Sequence, residues 1–191
     1  MYARLNVRVA AAIRPPNGGS WGEYAVAKAM EVLPVTKDTS FEAASSAFVN
    51  PLTVLSMIDI ATKQNVKTIV NTAGSSALGL QLHRAASKFD IKVLSVVRGE
   101  KNAKILSDAG VPPKNIIRSD VDGFQATFKK RCKEENALIA YDAIAGEMSG
   151  TLLQNLPKGG ELWAYGRLSG KSPIGVEKPG PDGQKYRGYL L

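Results

Sequence analysis

The residues with the clearest chemical potential form a short run, Ala73-Gly74-Ser75-Ser76-Ala77-Leu78-Gly79, between an apolar stretch and an amphipathic one. A phosphate group is held by backbone amides at the start of a helix, and only small side chains let that backbone come close enough to donate. Gly74, Ser75, Ser76, Ala77, Leu78 and Gly79 are therefore candidate ligands for the pyrophosphate of a dinucleotide. The spacing Ala73-x-x-Ser76-x-x-Gly79 departs from the full Gly-x-Gly-x-x-Gly fingerprint, and a small-residue turn in any parallel sheet would look alike.

A second group stands at the end of the next apolar run, Ser95-Val96-Val97-Arg98. NAD enzymes usually carry an acidic residue there to bond the ribose hydroxyls. Arg98 would instead pair with a 2′-phosphate, so NADPH is expected over NADH, with Ser95 and Lys101 as helpers. Glu100 is the competing ribose ligand, and it would reverse the preference. Two later turns, Ala143-Ile144-Ala145-Gly146 and Tyr165-Gly166, carry glycine where backbone would pass close to a flat ring. His83 lies one residue off an apolar stripe and reads as a surface histidine; Cys132 reads as a small apolar filler.

These groups need a scaffold that gathers them, and the chain alternates strand and helix signals from 39 to 170. Apolar strand candidates cover 66–70, 91–97, 115–117, 137–141 and 161–165. Helices are expected over 78–89, 101–109 with Gly110 as stop, 124–132, and 147–156 before Pro157. An earlier helix carries Val54, Met57, Ile58 and Ala61 on one stripe, and Thr39-Ser40-Phe41-Glu42 has capping-box spacing with Thr39 as cap. On the first of the late helices Leu78, Leu82, Ala85, Ala86 and Phe89 should face the sheet. The pattern predicts an α/β fold, a Rossmann-like doubly wound parallel sheet whose ligands sit beyond the carboxyl ends of the strands.

Residues 1–38 read as a remnant of a β-rich domain, with strands at 7–13 and 21–27 around the turn Pro15-Pro16-Asn17-Gly18-Gly19. Residues 171–191 read as an irregular tail that ends in an edge strand over 186–191.

Composition narrows the function classes. No stretch approaches the ~20 apolar residues needed to cross a bilayer, so no membrane role is expected. One Cys and one His cannot build a standard zinc site, and the lone thiol fits a reducing compartment. The net charge of +8 invites nucleic acid, but the densest basic run, 129–133, is followed at once by Glu134-Glu135. A solvated helix end is the better reading, and no nucleic-acid partner is expected. Acidic residues are absent before Glu23, a bias that transit peptides share, although 7–13 reads as a strand and not as their amphipathic helix.

The order Gly19-Ser20-Trp21-Gly22-Glu23-Tyr24, Asn50-Pro51-Leu52-Thr53, the small-residue loop, Asp142-Ala143-Ile144-Ala145-Gly146 and Pro157-Lys158-Gly159-Gly160 leading to Tyr165-Gly166 resembles the zinc-free medium-chain dehydrogenases/reductases. Quinone oxidoreductases and mitochondrial trans-2-enoyl-thioester reductases are the nearest kinds, and Asn50-Pro51, Ser76 and Val97-Arg98 look more like the second. The resemblance implies hydride transfer from NADPH to a small conjugated acceptor, a quinone or an enoyl thioester, in the cytoplasm or the mitochondrial matrix. It puts Asn50 and Thr53 near the nicotinamide end, residues 74–79 at the pyrophosphate, Ser95 and Arg98 at the 2′-phosphate, and Ala143, Ile144, Ala145, Tyr165 and Gly166 around the ring. It further implies a homodimer through the edge strand, and a front half, bearing the tyrosine that helps protonate substrate, outside these residues. Tyr24 is not that tyrosine. Arg118 and Ser119 stand where many quinone reductases carry a tyrosine over the cofactor phosphates. The alternatives are a non-catalytic nucleotide-binding module of the same fold and another Rossmann-like enzyme such as a methyltransferase, which would want an acid where Arg98 stands.

Overall fold

A computed structural model of the chain describes residues 7–13, 19 and 21–188. The chain forms two compact units, Met1–Thr53 and Val54–Leu191. The turn residues Pro15 to Gly18 and the last three residues of the expected edge strand lie outside the described residues.

In the first unit β1 (Val9–Ala11) pairs antiparallel with β2 (Val32–Pro34). The expected strand over 21–27 is not one. Trp21 and Tyr24 are almost fully exposed in irregular chain, because alternation without a neighbouring strand gives the backbone nothing to pair with. The short helix α1 (Phe41–Ser45) is capped by Ser40, whose Oγ accepts from the Ala43 amide at 3.2 Å. The expected cap, Thr39, is one residue early, and its hydroxyl pairs with that of Thr36. Helix α2 (Val49–Lys63) begins in this unit and continues into the second.

The second unit is built on a parallel six-stranded sheet: β3 (Thr68–Thr72), β4 (Lys92–Val97), β5 (Ile116–Arg118), β6 (Ile139–Asp142), β7 (Glu161–Ala164) and β8 (Lys185–Gly188). The spatial order is β5-β4-β3-β6-β7-β8, the doubly wound Rossmann order. All five expected strands are present, and the sixth occupies the edge over 185–188. Strands covered on both faces read as continuous apolar runs, and every residue of β3 is buried.

Two cores sandwich this sheet. On one face Val54, Met57, Ile58 and Ala61 of α2, with Leu82 and Ala86 of α3 (Ala77–Ala86), pack on Ile69, Val93 and Ile139. The expected α2 stripe is buried throughout. Phe89 is not: α3 tightens into a 3-10 turn at Ser87–Phe89, which turns the ring outward. On the other face Phe128 and Cys132 of α5 (Phe124–Glu134) and Leu152 and Leu153 of α6 (Glu147–Asn155) pack on Val70, Leu94, Ala140 and Leu162. Burial pushes the Cys132 thiol up to about 12, as befits an apolar filler. Helix α4 (Glu100–Asp108) buries Leu106 and stops at Gly110, whose φ of +84° suits glycine. Within the basic run on α5, Arg131 pairs with Glu134 and Glu135, and Lys130 stands 3.9 Å from Glu134.

Candidate functional site

The sheet changes winding direction between β3 and β6, so the chain leaves these neighbours toward opposite faces and a crevice opens at their carboxyl ends. A cavity of about 560 Å³ lies there. Its walls come from Thr72, Ala73, Ser75 and Ser76 after β3, from Val96, Val97 and Arg98 at the end of β4, and from Ile144 after β6. Asn102, Ser119, Met148, Leu168 and Ser169 complete it.

The turn after β3 is shaped by close packing. Ala73 takes a left-handed φ of 50°, and Ser76 caps α3 by accepting from the Gly79 amide at 3.1 Å. Among the described residues the amides of Ser75, Ala77 and Leu78 have no acceptor, so they remain available at a helix start. A Cβ on Gly79 would stand 2.2 Å from the Gly74 carbonyl oxygen, and one on Gly74 would stand 2.6 Å from the Ser95 side chain. Gly79 lets the helix meet the loop backbone to backbone, and Gly74 lets the loop settle on the Ser95 side chain.

Ser95 therefore sits beneath the loop rather than on the cavity. It is fully buried, and its Oγ lies 2.6 Å from Nε2 of His83. The expected part at a 2′-phosphate does not fit this position. Nor is His83 a surface residue: it is largely enclosed, and burial lowers its pKa from the ordinary value.

Arg98 does line the cavity, exposed at the tip of β4, and among the described residues no hydrogen bond or ion pair engages its guanidinium. Asn102 fixes its surroundings, donating from Nδ2 to the Arg98 carbonyl at 2.7 Å and accepting from the Ser75 hydroxyl at 3.0 Å. Lys101 points into solvent on α4 and is not part of the wall. Ser119 lines the cavity with its amide and hydroxyl both on the Val97 carbonyl. Beside it Arg118 reaches Asp120 and Glu100, and Asp120 accepts from the Gly99 amide. The hydrogen bond from Arg118, followed by that from Gly99, holds the Asp120 carboxyl far below the usual range.

The turn after β6 is built around Asp142. Its buried carboxylate accepts from the Thr72 hydroxyl (2.8 Å), the Ile144 amide (2.8 Å), the Ala145 amide (3.2 Å) and the Ser149 hydroxyl (2.6 Å). Ile144 faces the cavity, while Ala143 and Ala145 are buried behind it. A Cβ on Gly166 would stand 2.8 Å from the Ala143 carbonyl oxygen, so Gly166 backs this turn closely. Tyr165 is half-buried, donates to Asn71 Oδ1 at 3.0 Å, and is not part of the wall; burial raises its pKa. The amides of Leu168 and Ser169 bond the Ala143 and Ile144 carbonyls, which brings those two residues to the cavity. Asn50 and Thr53 lie in the first turns of α2, in the first compact unit, where the Thr53 hydroxyl donates to the Val49 carbonyl.

Sequence reasoning missed Asn102, Met148, Leu168 and Ser169. Asn102, one helical turn past Arg98, had a signal in its spacing; Leu168 and Ser169, held by loop-to-loop bonds, had none.

No family model matches the chain. The mouse mitochondrial enoyl-[acyl-carrier-protein] reductase is 25% identical over 165 residues, 82% of this chain and 42% of that protein. The chain thus spans less than half the length of this curated relative. Among solved structures, a Mesorhizobium loti protein assigned as an NADPH:quinone reductase superposes with a TM-score of 0.79 at 28% identity, covering 90% of this chain and 50% of that one. The Escherichia coli quinone oxidoreductase, solved with NADPH, shares the fold at a TM-score of 0.68 and 17% identity, covering 83% and 49%. In sequence and in fold the chain is thus similar to reductases of the zinc-free medium-chain dehydrogenase/reductase kind, over about half of each such protein.

Proposed function

We propose that this chain forms the NADPH-binding part of a reductase that passes a hydride to a conjugated acceptor, a quinone or an enoyl thioester. The observation that carries the reading is the cavity at the switch point, lined both by the loop that opens α3, whose Ser75 amide has no acceptor among the described residues, and by Arg98, which has no partner among them. Similarity to an enoyl-[acyl-carrier-protein] reductase and to a protein assigned as an NADPH:quinone reductase supports the acceptor classes.

The residues present fit a dinucleotide with a 2′-phosphate. The amides of Ser75, Ala77 and Leu78 would hold its pyrophosphate, and Arg98 its 2′-phosphate. Bound there, the nicotinamide supplies the hydride. The protein's own work is positioning: Ile144, Met148 and Leu168 present apolar surface that excludes water, and Asp142 keeps the Ile144 turn fixed. The outer side of β8, an edge strand, supports pairing of two copies. Mitochondrial relatives favour the matrix as its compartment.

Fluorescence titration with NADPH and NADH, followed by NADPH oxidation with a crotonyl thioester and with a small quinone, tests this reading. NADPH should bind the more tightly. Arg98→Asp should weaken NADPH by roughly 30-fold, since a hydrogen bond to a charged group is worth about 1.5–3 kcal/mol, and should weaken NADH far less. Equal loss for both would remove Arg98 from the site. Binding without turnover of either acceptor would favour the non-catalytic module.

A further inference from the structure

We infer that Arg118 is a specificity-determining residue that never touches the nucleotide: by engaging Glu100 it keeps a carboxylate away from the ribose position beside Arg98. The inference rests on the reading that Arg98 meets a 2′-phosphate.

An acid just past the second strand of such a sheet is the usual ligand of the free ribose hydroxyls, and it repels a 2′-phosphate. Glu100 is such an acid. It stands two residues after Arg98 and opens α4, two residues before Asn102, and both of those neighbours line the cavity. With its side chain 80% exposed it has room to turn toward either side. It is claimed instead by Arg118, whose Nη1 donates to Glu100 Oε2 at 2.5 Å.

The arginine is itself set in place beforehand. Its Nε and Nη2 donate to the two oxygens of Asp120 at 3.2 and 2.8 Å, and Asp120 Oδ1 also accepts from the Gly99 amide at 2.9 Å. Asp120 therefore fixes the fork against the backbone that precedes Glu100, leaving Nη1 to reach the glutamate. An exposed ion pair between two free side chains contributes little, but a guanidinium already held by a second carboxylate loses less freedom in making it. The cluster lies at the rim of the cavity, since Ser119, between Arg118 and Asp120, is part of its wall. A residue placed only to tie β4 to β5 would have no need to bind Glu100.

The test measures dissociation constants of the whole chain for NADPH and NADH in the wild type, Arg118→Met, Glu100→Gln and the double variant. The wild type should prefer NADPH. Arg118→Met should cut that preference about tenfold, the scale of one added negative charge near a phosphate at the protein surface. Glu100→Gln alone should stay within about twofold of wild type, and adding it to Arg118→Met should restore the preference, because the freed charge is then gone. Arg118→Lys, which keeps the charge but cannot serve both carboxylates, should fall between, and it carries the same test if the methionine variant does not fold. The inference is overturned if Arg118→Met keeps the preference, or weakens both nucleotides equally. It is also overturned if Glu100→Gln fails to restore the preference, for the effect then runs through Asp120. A wild type that binds NADPH no better than NADH sinks the reading of Arg98 itself.

Discussion

Two strand-to-helix turns stand side by side at the carboxyl end of the sheet, after β3 and after β6, and they solve the same problem in opposite ways. Both expose amides where a helix begins. After β6 the chain's own carboxylate, Asp142, takes the amides of Ile144 and Ala145 together with two hydroxyls. After β3 no carboxylate arrives, and the amides of Ser75, Ala77 and Leu78 stay open among the described residues. One turn is closed by an internal anion and serves as a wall; the other is left to be closed by an external one. The difference also says where rigidity comes from: hydrogen bonds to a buried charge after β6, backbone contact through glycine after β3.

The strongest way to break the comparison is to remove the internal anion. Asp142→Ala strands two amides and two hydroxyls in a buried place, and each stranded group costs about 1–3 kcal/mol, partly relieved by relaxation and water. A loss on the order of 4 kcal/mol is expected, read as the shift in a denaturant unfolding midpoint, with the Ile144 turn loosened and nucleotide binding lost with it. Were the variant as stable as wild type, the carboxylate would not be what organises that turn.

A smaller effect is expected on the open turn. Alanine within a helix is ordinarily better than glycine by about 1 kcal/mol. At position 79 the new Cβ would sit 2.2 Å from the Gly74 carbonyl oxygen, a backbone atom that cannot swing aside. Overpacking of this kind costs about 1–3 kcal/mol, so Gly79→Ala should lose stability on balance. It should also weaken NADPH more than tenfold by pushing the loop off its amide geometry. Unchanged stability together with unchanged binding would mean that the helix and loop have more slack than these contacts allow.

The contrast between the turns also marks what the sequence could tell. The sheet was legible because buried parallel strands must be apolar runs, and the open turn because close approach demands small residues. The end of β3 was not: Asn71 and Thr72 look like turn residues, yet they are buried strand, where Asn71 Oδ1 accepts from Tyr165 and the Thr72 hydroxyl donates to Asp142, 94 and 70 positions along the chain. Asp142 itself was visible only as a neighbour of small residues, since besides the amides of its own turn its partners are hydroxyls from β3 and α6. In the first unit the alternation over 21–27 looked like a strand, but period-two spacing cannot say whether a neighbour exists to pair with it. Long-range polar partners are what local composition leaves out.

The mildest prediction concerns what lies under the open turn. Gly74 packs on Ser95, and Ser95 is bonded to His83. Burial lowers the His83 pKa, so the folded chain resists protonation while the unfolded chain takes a proton near the ordinary 6.5. Below that pH the unfolded state binds more protons, and stability must fall as pH drops through 6.5, levelling only below the folded-state value. Carboxylates such as Glu135, held down by hydrogen bonds from Lys92 and then Arg131, add their own loss only below their ordinary 4.5. Melting temperatures measured between pH 7 and 5 should therefore decline through this one group, and His83→Gln should flatten the decline. NADPH should oppose it, because a bound anion braces the turn that rests on Ser95. A wild-type profile that is flat over this range would show that His83 titrates as if in water, and that the support beneath the open turn is looser than the contact between Ser95 and Gly74 implies.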